Sequence, residues 1–358
     1  MLPSPAAPRS ICILRLSALG DATHVVPMIQ TLRRAFPGVA ITWIVGKLEH
    51  RLVGDLPGVE FVVVDKHQGA AAFGVLRRAL RGRRFDVLLQ CQVALRANLL
   101  SALVRADRRI GYDRARSKDL HGLFVRERIA DRPGIHVLDA IGSFVEPLGT
   151  RQTGVCWAIP IPDSAREFAA AHLPGDQPTL LLSPCSSHAV RNWLPERYAA
   201  VADHAIRAHG MRVALCGSRS GLERAMGDAI MARMRERPLD LIGKDTLKQF
   251  LALAARATLV LSPDAGPMHM ANAVGTPVLG LHAASNPRRS GPYSSIAWCV
   301  DRYDEAARRF RDKPAAALPW GAKLEYPGVM ELIETAAVVD TLDRFVASRV
   351  AAQLPATR

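Results

Sequence analysis

Short apolar runs alternate with segments of helical periodicity along both halves of this chain. In the first half, apolar runs predict strands at 11–16, 39–45, 61–64 and 85–89, and helical spacing predicts helices at 22–36 and 76–80. In the second half, the predicted strands are 179–183, 212–216, 258–261 and 278–281, and the predicted helices are 195–209, 247–255, 266–274 and about 327–347. Fully apolar strands separated by helices are typical of a parallel sheet with helices on both faces.

A stretch of low periodicity separates the two runs of alternating elements. Residues 157–163 contain Pro160 and Pro162 and show neither helical nor strand spacing. We therefore predict two doubly wound α/β domains, 1–160 and 161–326, and a C-terminal helix within 327–358 that packs back toward the first domain. In such sheets ligands bind beyond the carboxyl ends of the strands, so a cleft between the two domains is the expected site.

The composition is that of an ordinary globular protein. The 358 residues are 49% hydrophobic and 22% charged, and no apolar run approaches the roughly 18–20 residues of a membrane-spanning helix. The first ten residues carry one Arg with no long apolar segment behind it, so we expect a cytoplasmic protein without a secretory signal. The six cysteines form no Cys-x-x-Cys pair and mostly occupy apolar runs, which argues against disulfides and a zinc cluster.

Positive charge is in excess and is concentrated in arginine clusters of the first half. Lys and Arg total 47 against 33 Asp and Glu, for a net charge of +14. The clusters at 77–84 and 105–118 favour an anionic partner, either nucleic acid, an acidic membrane surface or a phosphorylated substrate. For any single arginine, a solvated surface position is the alternative. Nucleic acid is disfavoured because no aromatic residue is interleaved in 77–84.

Several widespread motifs are missing. The chain has no Gly-x-Gly-x-x-Gly after the first strand, no P-loop and no Gly-x-Ser-x-Gly elbow. It also lacks an Asp-x-Asp pair that would hold a metal beside a nucleotide sugar. These absences disfavour dinucleotide oxidoreductases, P-loop NTPases, α/β-hydrolases and metal-dependent transferases of the Asp-x-Asp type.

Asp21 follows the first predicted strand in the segment Ser17-Ala18-Leu19-Gly20-Asp21. An aspartate at this position is a good helix N-cap. It is equally suited to act as a general base at the carboxyl edge of the sheet. The residues alone leave both interpretations open.

Two further polar segments follow strands in the second half. In 183–193, Ser186, Ser187 and Arg191 could bind a diphosphate, although a polar surface loop has the same composition. In 259–273, the start of the helix at Gly266 offers backbone N–H groups to a phosphate. Asp264 and His269 in this segment could contact a sugar and a phosphate. Alternatively, Asp264 is only an N-cap and His269 is a structural histidine.

Taken in order, these segments resemble the bacterial ADP-heptose:lipopolysaccharide heptosyltransferases of glycosyltransferase family 9, which are inverting enzymes with the two-domain GT-B fold. The motifs that carry the resemblance are 17–21, Arg109-Ile110-Gly111-Tyr112, Arg191-Asn192-Trp193, Leu241-Ile242-Gly243 and 262–269. The resemblance implies transfer of heptose from ADP-L-glycero-D-manno-heptose to Kdo or heptose of the lipopolysaccharide inner core. It also implies that no metal or other cofactor is needed, and that the enzyme works at the cytoplasmic face of the inner membrane as a peripheral protein.

The resemblance also implies roles for individual residues. Asp21 matches the general base, and the residues that match the donor site are Ser186, Ser187, Arg191, Glu223, Asp264, Gly266 and His269. Arg191 stands where the family usually has Lys, and Ala265 stands where it often has Thr.

The acceptor side departs more from the family pattern, because Gln90 and Cys91 replace its usual Asp. We expect the acidic acceptor to be held by Arg77, Arg78, Arg81, Arg114 and Arg116. The alternatives are a sugar-nucleotide epimerase of the same fold and a non-catalytic lipopolysaccharide-binding relative. The sequence leaves the oligomeric state open.

Overall fold

The structure, a computed structural model, describes residues 7–353 and divides into two compact units, Met1–Pro160 and Ile161–Arg358. Residues 1–6, on which part of the signal-sequence argument rests, lie outside the described residues, as do 354–358 of the predicted C-terminal segment. Between residues 7 and 353, no helix has both the length and the apolar character that a membrane crossing requires.

The first unit is built on a six-stranded parallel sheet with the strand order β3-β2-β1-β4-β5-β6. Its strands are β1 (Ser10–Leu14), β2 (Ala40–Gly46), β3 (Val59–Val64), β4 (Phe85–Gln90), β5 (Ala106–Gly111) and β6 (Glu127–Arg128). Its α-helices are α1 (Leu19–Ala35), α2 (Lys47–Val53), α3 (Ala71–Ala79), α4 (Leu95–Ser101) and α5 (Val137–Gly142).

The second unit repeats this plan, with the strand order β12-β11-β10-β7-β8-β9. Its strands are β7 (Thr179–Leu182), β8 (Arg212–Leu215), β9 (Leu239–Asp240), β10 (Leu259–Pro263), β11 (Val278–His282) and β12 (Val300–Asp301). Its α-helices are α6 (Asp163–His172), α7 (Pro195–His209), α8 (Gly221–Met231), α9 (Leu247–Arg256), α10 (Gly266–Ala273), α11 (Pro287–Ser290), α12 (Tyr303–Arg311) and α13 (Thr335–Gln353).

The central strands are buried on both faces, as a sheet covered by helices requires. Ile11, Cys12, Ile13 and Leu14 of β1 are all fully buried, and so are the leucines of β7. Such strands carry apolar residues at every position instead of alternating ones. The predicted fold class, two doubly wound parallel-sheet domains, is confirmed.

The structure contains elements that were not predicted, among them β5 and the helices α2, α4, α5, α6, α8 and α12. Other differences lie at helix starts. Helix α1 begins at Leu19, three positions before the predicted residue 22, so Asp21 lies inside its first turn. The predicted helix at 327–347 is wrong at its start, because a separate single turn at Val329–Leu332 precedes α13. Helix α13 packs against α7, and its Leu342 is buried in the core of the second unit. Packing of the C-terminal segment toward the first domain stays a prediction.

Each sheet has one point at which the strand order reverses direction. In the first sheet this point lies between β1 and β4, and in the second it lies between β7 and β10. Loops that leave the carboxyl ends of such strands diverge and open a crevice, where ligands of doubly wound sheets bind. Asp21 follows β1, Arg191 follows β7 and Asp264 follows β10, so all three lie at these crevices.

Candidate functional site

Asp21 presents one carboxylate oxygen that has no partner within the described chain. Its Oδ2 forms an ion pair with the Arg15 guanidinium and accepts a hydrogen bond from the Ala18 N–H at 3.3 Å. Among residues 7–353, no group donates a hydrogen bond to Oδ1, and the side chain is 29% exposed. Ala18, and not Asp21, is the N-cap of α1, so the N-cap interpretation is wrong. Oδ1 is therefore placed to accept a proton.

Arg15 holds this carboxylate in position. Its side chain is 12% exposed, and its Nη1 donates a hydrogen bond to the Cys91 carbonyl in the loop after β4. Burial lowers the pKa of Arg15, but nearby groups, of which the Asp21 carboxylate has the largest effect, raise it above its usual value, so the guanidinium stays charged. Sequence reasoning missed Arg15, although it is the one charged residue within the apolar run 11–16.

A buried polar network lies under the same crevice, at the carboxyl ends of β4 and β5. Gln90 Nε2 donates to Asn98 Oδ1 at 2.7 Å, and His121 Nδ1 lies 2.9 Å from the same oxygen. The Tyr112 N–H donates to His121 Nε2 at 3.1 Å, so Nδ1 carries the ring proton. Burial lowers the pKa of His121 to about 4. Gln90, one of the departures from the family pattern, is therefore part of a hydrogen-bonded network whose side chains are uncharged.

The predicted acceptor arginines lie at two opposite edges of the first sheet. Arg77, Arg78 and Arg81 are exposed at the end of α3 and in the turn that leads to the amino end of β4. Arg114 and Arg116 follow the carboxyl end of β5, which is the edge of Asp21. β4 spans roughly 17 Å at about 3.3 Å per residue. The structure therefore does not bring the first three arginines together with Asp21, and one sugar cannot contact both groups.

Arg116 has a structural role in the loop that follows β5. Its Nη1 lies 2.5 Å from Asp113 Oδ2, and its Nη2 donates to the Arg132 carbonyl at 2.5 Å. Arg114 is exposed in the same loop. Of the two predicted acceptor arginines at this edge, Arg114 is therefore the one whose position suits a ligand contact.

In the second unit, the loop between β7 and α7 carries the predicted diphosphate residues. Ser186 is buried, and its Oγ accepts a hydrogen bond from the His188 N–H at 3.1 Å. The Ser186 N–H donates to Asn192 Oδ1 at 2.7 Å, whereas Ser187 is exposed. These bonds hold the loop in one conformation and leave the Ser187 hydroxyl at the surface.

Arg191 of this loop is paired with Glu325, a residue that no sequence motif singled out. Arg191 Nε donates to Glu325 Oε1 at 2.6 Å, and the two side chains form an ion pair. Partial burial raises the pKa of Glu325, but the hydrogen bond and charge of Arg191 lower it below its usual value. A ligand phosphate at Arg191 would therefore compete with this carboxylate.

Asp264 is held as a buried carboxylate after β10. Its side chain is 10% exposed, and its Oδ2 lies 2.7 Å from Lys323 Nζ. His269 Nε2 lies 3.9 Å from Oδ1. Burial raises the pKa of Asp264, but His269 and the Lys323 ammonium hold it well below its usual range. Because Ala265 is the N-cap of α10, the N-cap interpretation of Asp264 is wrong, and Gly266 opens the helix.

Glu223 has a local structural role at the start of α8. Its carboxylate accepts a hydrogen bond from the Ser218 N–H at 2.6 Å, and the Ser220 hydroxyl accepts one from the Glu223 N–H at 3.2 Å. The second bond makes Ser220 the N-cap of α8, and the first ties the turn after β8 to the start of this helix. A contact of Glu223 with ribose stays a prediction.

One group among the described residues could hold a metal ion, and it lies away from the donor loops. His204 and His209 of α7 each place Nε2 within 2.7 Å of Asp343 Oδ1 on α13. α7 starts after the Arg191 loop and runs toward the amino edge of the sheet, so His209 lies at the opposite edge from Arg191. Metal-independent chemistry at the donor loops stays a prediction.

The two charged residues that sequence reasoning missed in the second unit lie in one segment of the chain. Lys323 and Glu325 pass beside the loop that follows β11, where the Leu324 N–H donates to the Ala284 carbonyl at 2.8 Å. This segment has neither strand nor helix periodicity, and the partners of its charged residues lie 59 and 134 positions away. No local pattern could have revealed these pairs.

We expect the protein to lose stability as the pH falls from 7 toward 4. Burial lowers the pKa of His121 and of His282 to about 4. In the unfolded chain a histidine titrates near 6.5, so within this interval the unfolded state binds more protons, and each residue costs up to about 3 kcal/mol of unfolding free energy. Urea unfolding at pH 7.5 and 4.5 measures the loss.

The matched variants for this pH measurement are His282→Gln and, as a control, His67→Gln on the exposed turn after β3. We expect the first variant to show a smaller difference in unfolding free energy between the two pH values than the wild type. The control keeps the full difference. An unchanged difference in His282→Gln would contradict the assignment of the loss to this buried ring.

Comparison with known proteins finds similar sequences over most of the chain. A family model described as glycosyltransferase family 9 (heptosyltransferase) matches residues 74–320. The chain is 38% identical over 338 residues to the lipopolysaccharide core heptosyltransferase OpsX of Haemophilus influenzae, covering 94% of this chain and 97% of the relative.

Two solved structures show that the fold is shared. A glycosyl transferase family 9 protein from Veillonella parvula has a TM-score of 0.76 at 23% identity, covering 95% of this chain and 97% of its own. The E. coli heptosyltransferase WaaC with ADP has a TM-score of 0.72 at 16% identity, covering 94% of this chain and 99% of its own.

Proposed function

Because this chain belongs to glycosyltransferase family 9, the heptosyltransferases, we propose that it transfers a heptose from ADP-L-glycero-D-manno-heptose to Kdo or a heptose of the lipopolysaccharide inner core. The observation that carries this proposal is the 38% identity, over 94% of the chain, to a relative named as a lipopolysaccharide core heptosyltransferase. The family membership favours transfer over the epimerase alternative.

In the proposed reaction Asp21 is the general base. Its Oδ1 takes the proton of an acceptor hydroxyl while that oxygen attacks the anomeric carbon of the donor. The bond between the anomeric carbon and the diphosphate oxygen breaks in the same step, so ADP leaves and the configuration inverts. Arg15, which occupies Oδ2, leaves Oδ1 as the proton acceptor. General-base assistance of this kind contributes about 10²–10⁴-fold.

The second unit stabilises the leaving ADP. Arg191 contributes a full positive charge at the diphosphate, and the serine hydroxyls beside it donate hydrogen bonds. The first N–H groups of α10 add the positive end of a helix dipole. Asp264, fixed by Lys323, accepts hydrogen bonds from the donor sugar. In this proposal Arg191 and the N–H groups of α10 balance the negative charge of the diphosphate, which a metal ion would otherwise do. No cofactor is required.

The partners in this proposal are the ADP-sugar and the lipopolysaccharide core precursor. Because the precursor is anchored in the inner membrane by its lipid, the enzyme works as a peripheral protein at the cytoplasmic face. Nucleic acid is not a partner.

A labelled donor tests the function directly. The purified chain is incubated with ADP-heptose labelled in the sugar, with and without lipopolysaccharide from a heptose-deficient strain. We expect label to enter the lipid only when acceptor is present. Conversion of the donor without acceptor would indicate an epimerase, and an inert chain would indicate a binding protein. Mass spectrometry of the core from a deletion strain then identifies the missing sugar.

Arg191→Ala is expected to weaken ADP binding by roughly 10–150-fold, because a hydrogen bond to a charged group contributes about 1.5–3 kcal/mol. Glu325→Gln is expected to tighten it, since Arg191 then gives up no charged partner when ADP binds. Calorimetry with ADP measures both changes. Arg207→Ala, which removes an arginine paired with Glu236, is the control with unchanged affinity. Equal ADP affinity in Arg191→Ala and wild type would refute the role.

A further inference from the structure

Four leucines are exposed beyond the carboxyl ends of β4 and β5, at one edge of the first sheet. The exposed fractions are 47% for Leu95, 43% for Leu99, 63% for Leu120 and 78% for Leu123. All four follow the carboxyl ends of β4 and β5, on α4 and in the loop before β6. Apolar side chains that are scattered singly need no explanation, whereas a group in one place marks an interaction surface. These four residues are called the leucine edge below.

Hydrogen bonds join the two segments of the leucine edge into one surface. The Leu95 N–H donates to Asp119 Oδ2 at 3.2 Å, next to Leu120 in the chain. Asn98 Nδ2, one turn along α4, donates to the Asp119 carbonyl at 2.6 Å. The helix and the loop therefore present their leucines together and in a fixed arrangement.

The backbone at Leu120 holds its side chain outward at an energetic cost. Leu120 has φ +63° and Asp119 has φ +52°, in the left-handed region that a leucine rarely adopts. The next residue, His121, is buried and hydrogen-bonded to Asn98, which keeps the loop in this conformation. Packing inside the chain does not explain why an exposed leucine occupies this strained position. A contact with a surface outside the chain does explain it.

Positive charge surrounds the leucine edge. The exposed cations that follow the carboxyl ends of β3, β4 and β5 are Lys66, Arg96, Arg114 and Lys118. Arg96 Nη1 donates to the Lys66 carbonyl at 2.7 Å, which ties α4 to the turn after β3. The nearby Asp65 is already paired with Lys47 at 2.9 Å. An apolar surface with a cationic rim matches the interface of a membrane that contains anionic lipids.

We propose that the leucine edge inserts into the headgroup region of an anionic bilayer while the surrounding cations contact lipid phosphates. Asp21 lies at this same carboxyl edge of the sheet, so the base faces the membrane that carries the acceptor. That last step rests on the proposed function, but membrane binding itself does not. The arginines at the end of α3 lie at the opposite edge, roughly 17 Å away along β4. A flat membrane contacts only one edge of the sheet. Arg77, Arg78 and Arg81 are therefore not part of the proposed membrane-binding surface.

Sedimentation with lipid vesicles tests the proposal. The vesicles contain phosphatidylethanolamine with or without phosphatidylglycerol. The double variant Leu120→Ser, Leu123→Ser is expected to bind the anionic vesicles at least about tenfold more weakly than the wild type. Lys118→Gln is expected to bind the anionic vesicles about fivefold more weakly than the wild type, and its binding is expected to depend less on salt. Far-UV circular dichroism and thermal unfolding confirm that the variants are folded.

Two control variants make the same kinds of substitution at other places on the protein. Leu222→Ser removes a leucine that is 47% exposed on α8 of the second unit. The double variant Arg77→Gln, Arg78→Gln removes two cations from the opposite edge of the first sheet. Both controls are expected to stay within twofold of wild-type binding. Stronger loss in the arginine variant than in the leucine variant would overturn the proposal.

The outcomes also separate this proposal from the proposed function. With detergent-solubilised acceptor, the leucine variant is expected to transfer heptose at the wild-type rate, whereas transfer to vesicle-embedded acceptor falls. An inactive wild type that still binds vesicles through the leucine edge would contradict only the proposed function. Wild-type vesicle binding by the leucine variant would overturn the membrane surface. So would a dimer, seen by analytical ultracentrifugation, that the leucine change dissociates while neither protein binds vesicles.

Discussion

Asp21→Asn is expected to lower kcat for heptose transfer by about 10²–10⁴-fold while the affinity for ADP-heptose stays within a few-fold. Asparagine keeps the shape of the side chain and its oxygen can still accept the Ala18 hydrogen bond, but it cannot take the acceptor proton. Kinetics of labelled-heptose transfer and calorimetry with the donor measure the two effects separately.

Stability must be measured alongside, because the change leaves the Arg15 guanidinium without its carboxylate. Asp21→Glu retains both a charge and a base, so we expect it to recover part of the lost rate. Asp163→Asn, at the exposed start of α6, is the control with full activity. Substantial transfer by a folded Asp21→Asn protein would remove Asp21 as the base.

Lys323→Met is expected to lower the free energy of unfolding by about 3 kcal/mol, because it leaves the buried Asp264 carboxylate without its cation. Adding Asp264→Asn is expected to restore much of the loss, since the buried group is then neutral. Urea unfolding of the wild type, both single variants and the double variant gives the coupling energy of the pair.

Lys313→Met, which changes an exposed lysine near the same segment, is the control for this cycle and should leave the stability within about 0.5 kcal/mol. A double variant as unstable as Lys323→Met alone would show that the buried charge is not the cause. We also expect Lys323→Met to weaken donor binding, because Asp264 loses its fixed position.

The fold could be predicted because its evidence is local. Each central strand is an apolar run, and each long helix carries its own periodicity, as in α7, whose bounds Pro195–His209 match the prediction. The strands β6, β9 and β12 were not predicted, because two residues are too few to show a periodic pattern. The start of α1 was misplaced because small and polar residues open it, and this error hid the place of Asp21 in the first turn.

The candidate site could be predicted only in part. The segments around Asp21, Arg191 and Asp264 stood out because each follows a strand, and the structure places all three at the crevices of the two sheets. Their charged partners, Lys323 and Glu325, are remote in sequence and follow no pattern. The order of elements, and not composition, decides which edge of a sheet a cluster occupies. For this reason the sequence did not reveal that the arginines at 77–81 and those after β5 lie at opposite edges of the first sheet.

The most direct test of the account is the stereochemistry of a complete transfer reaction. The purified chain is supplied with ADP-heptose labelled with ¹³C at the anomeric carbon and with heptose-deficient lipopolysaccharide, and the product is examined by NMR while released ADP is quantified. The account predicts one ADP for each heptose added to the core, with the anomeric configuration opposite to that of the donor. Retention of configuration, or release of ADP without a heptose on the lipid, would contradict it.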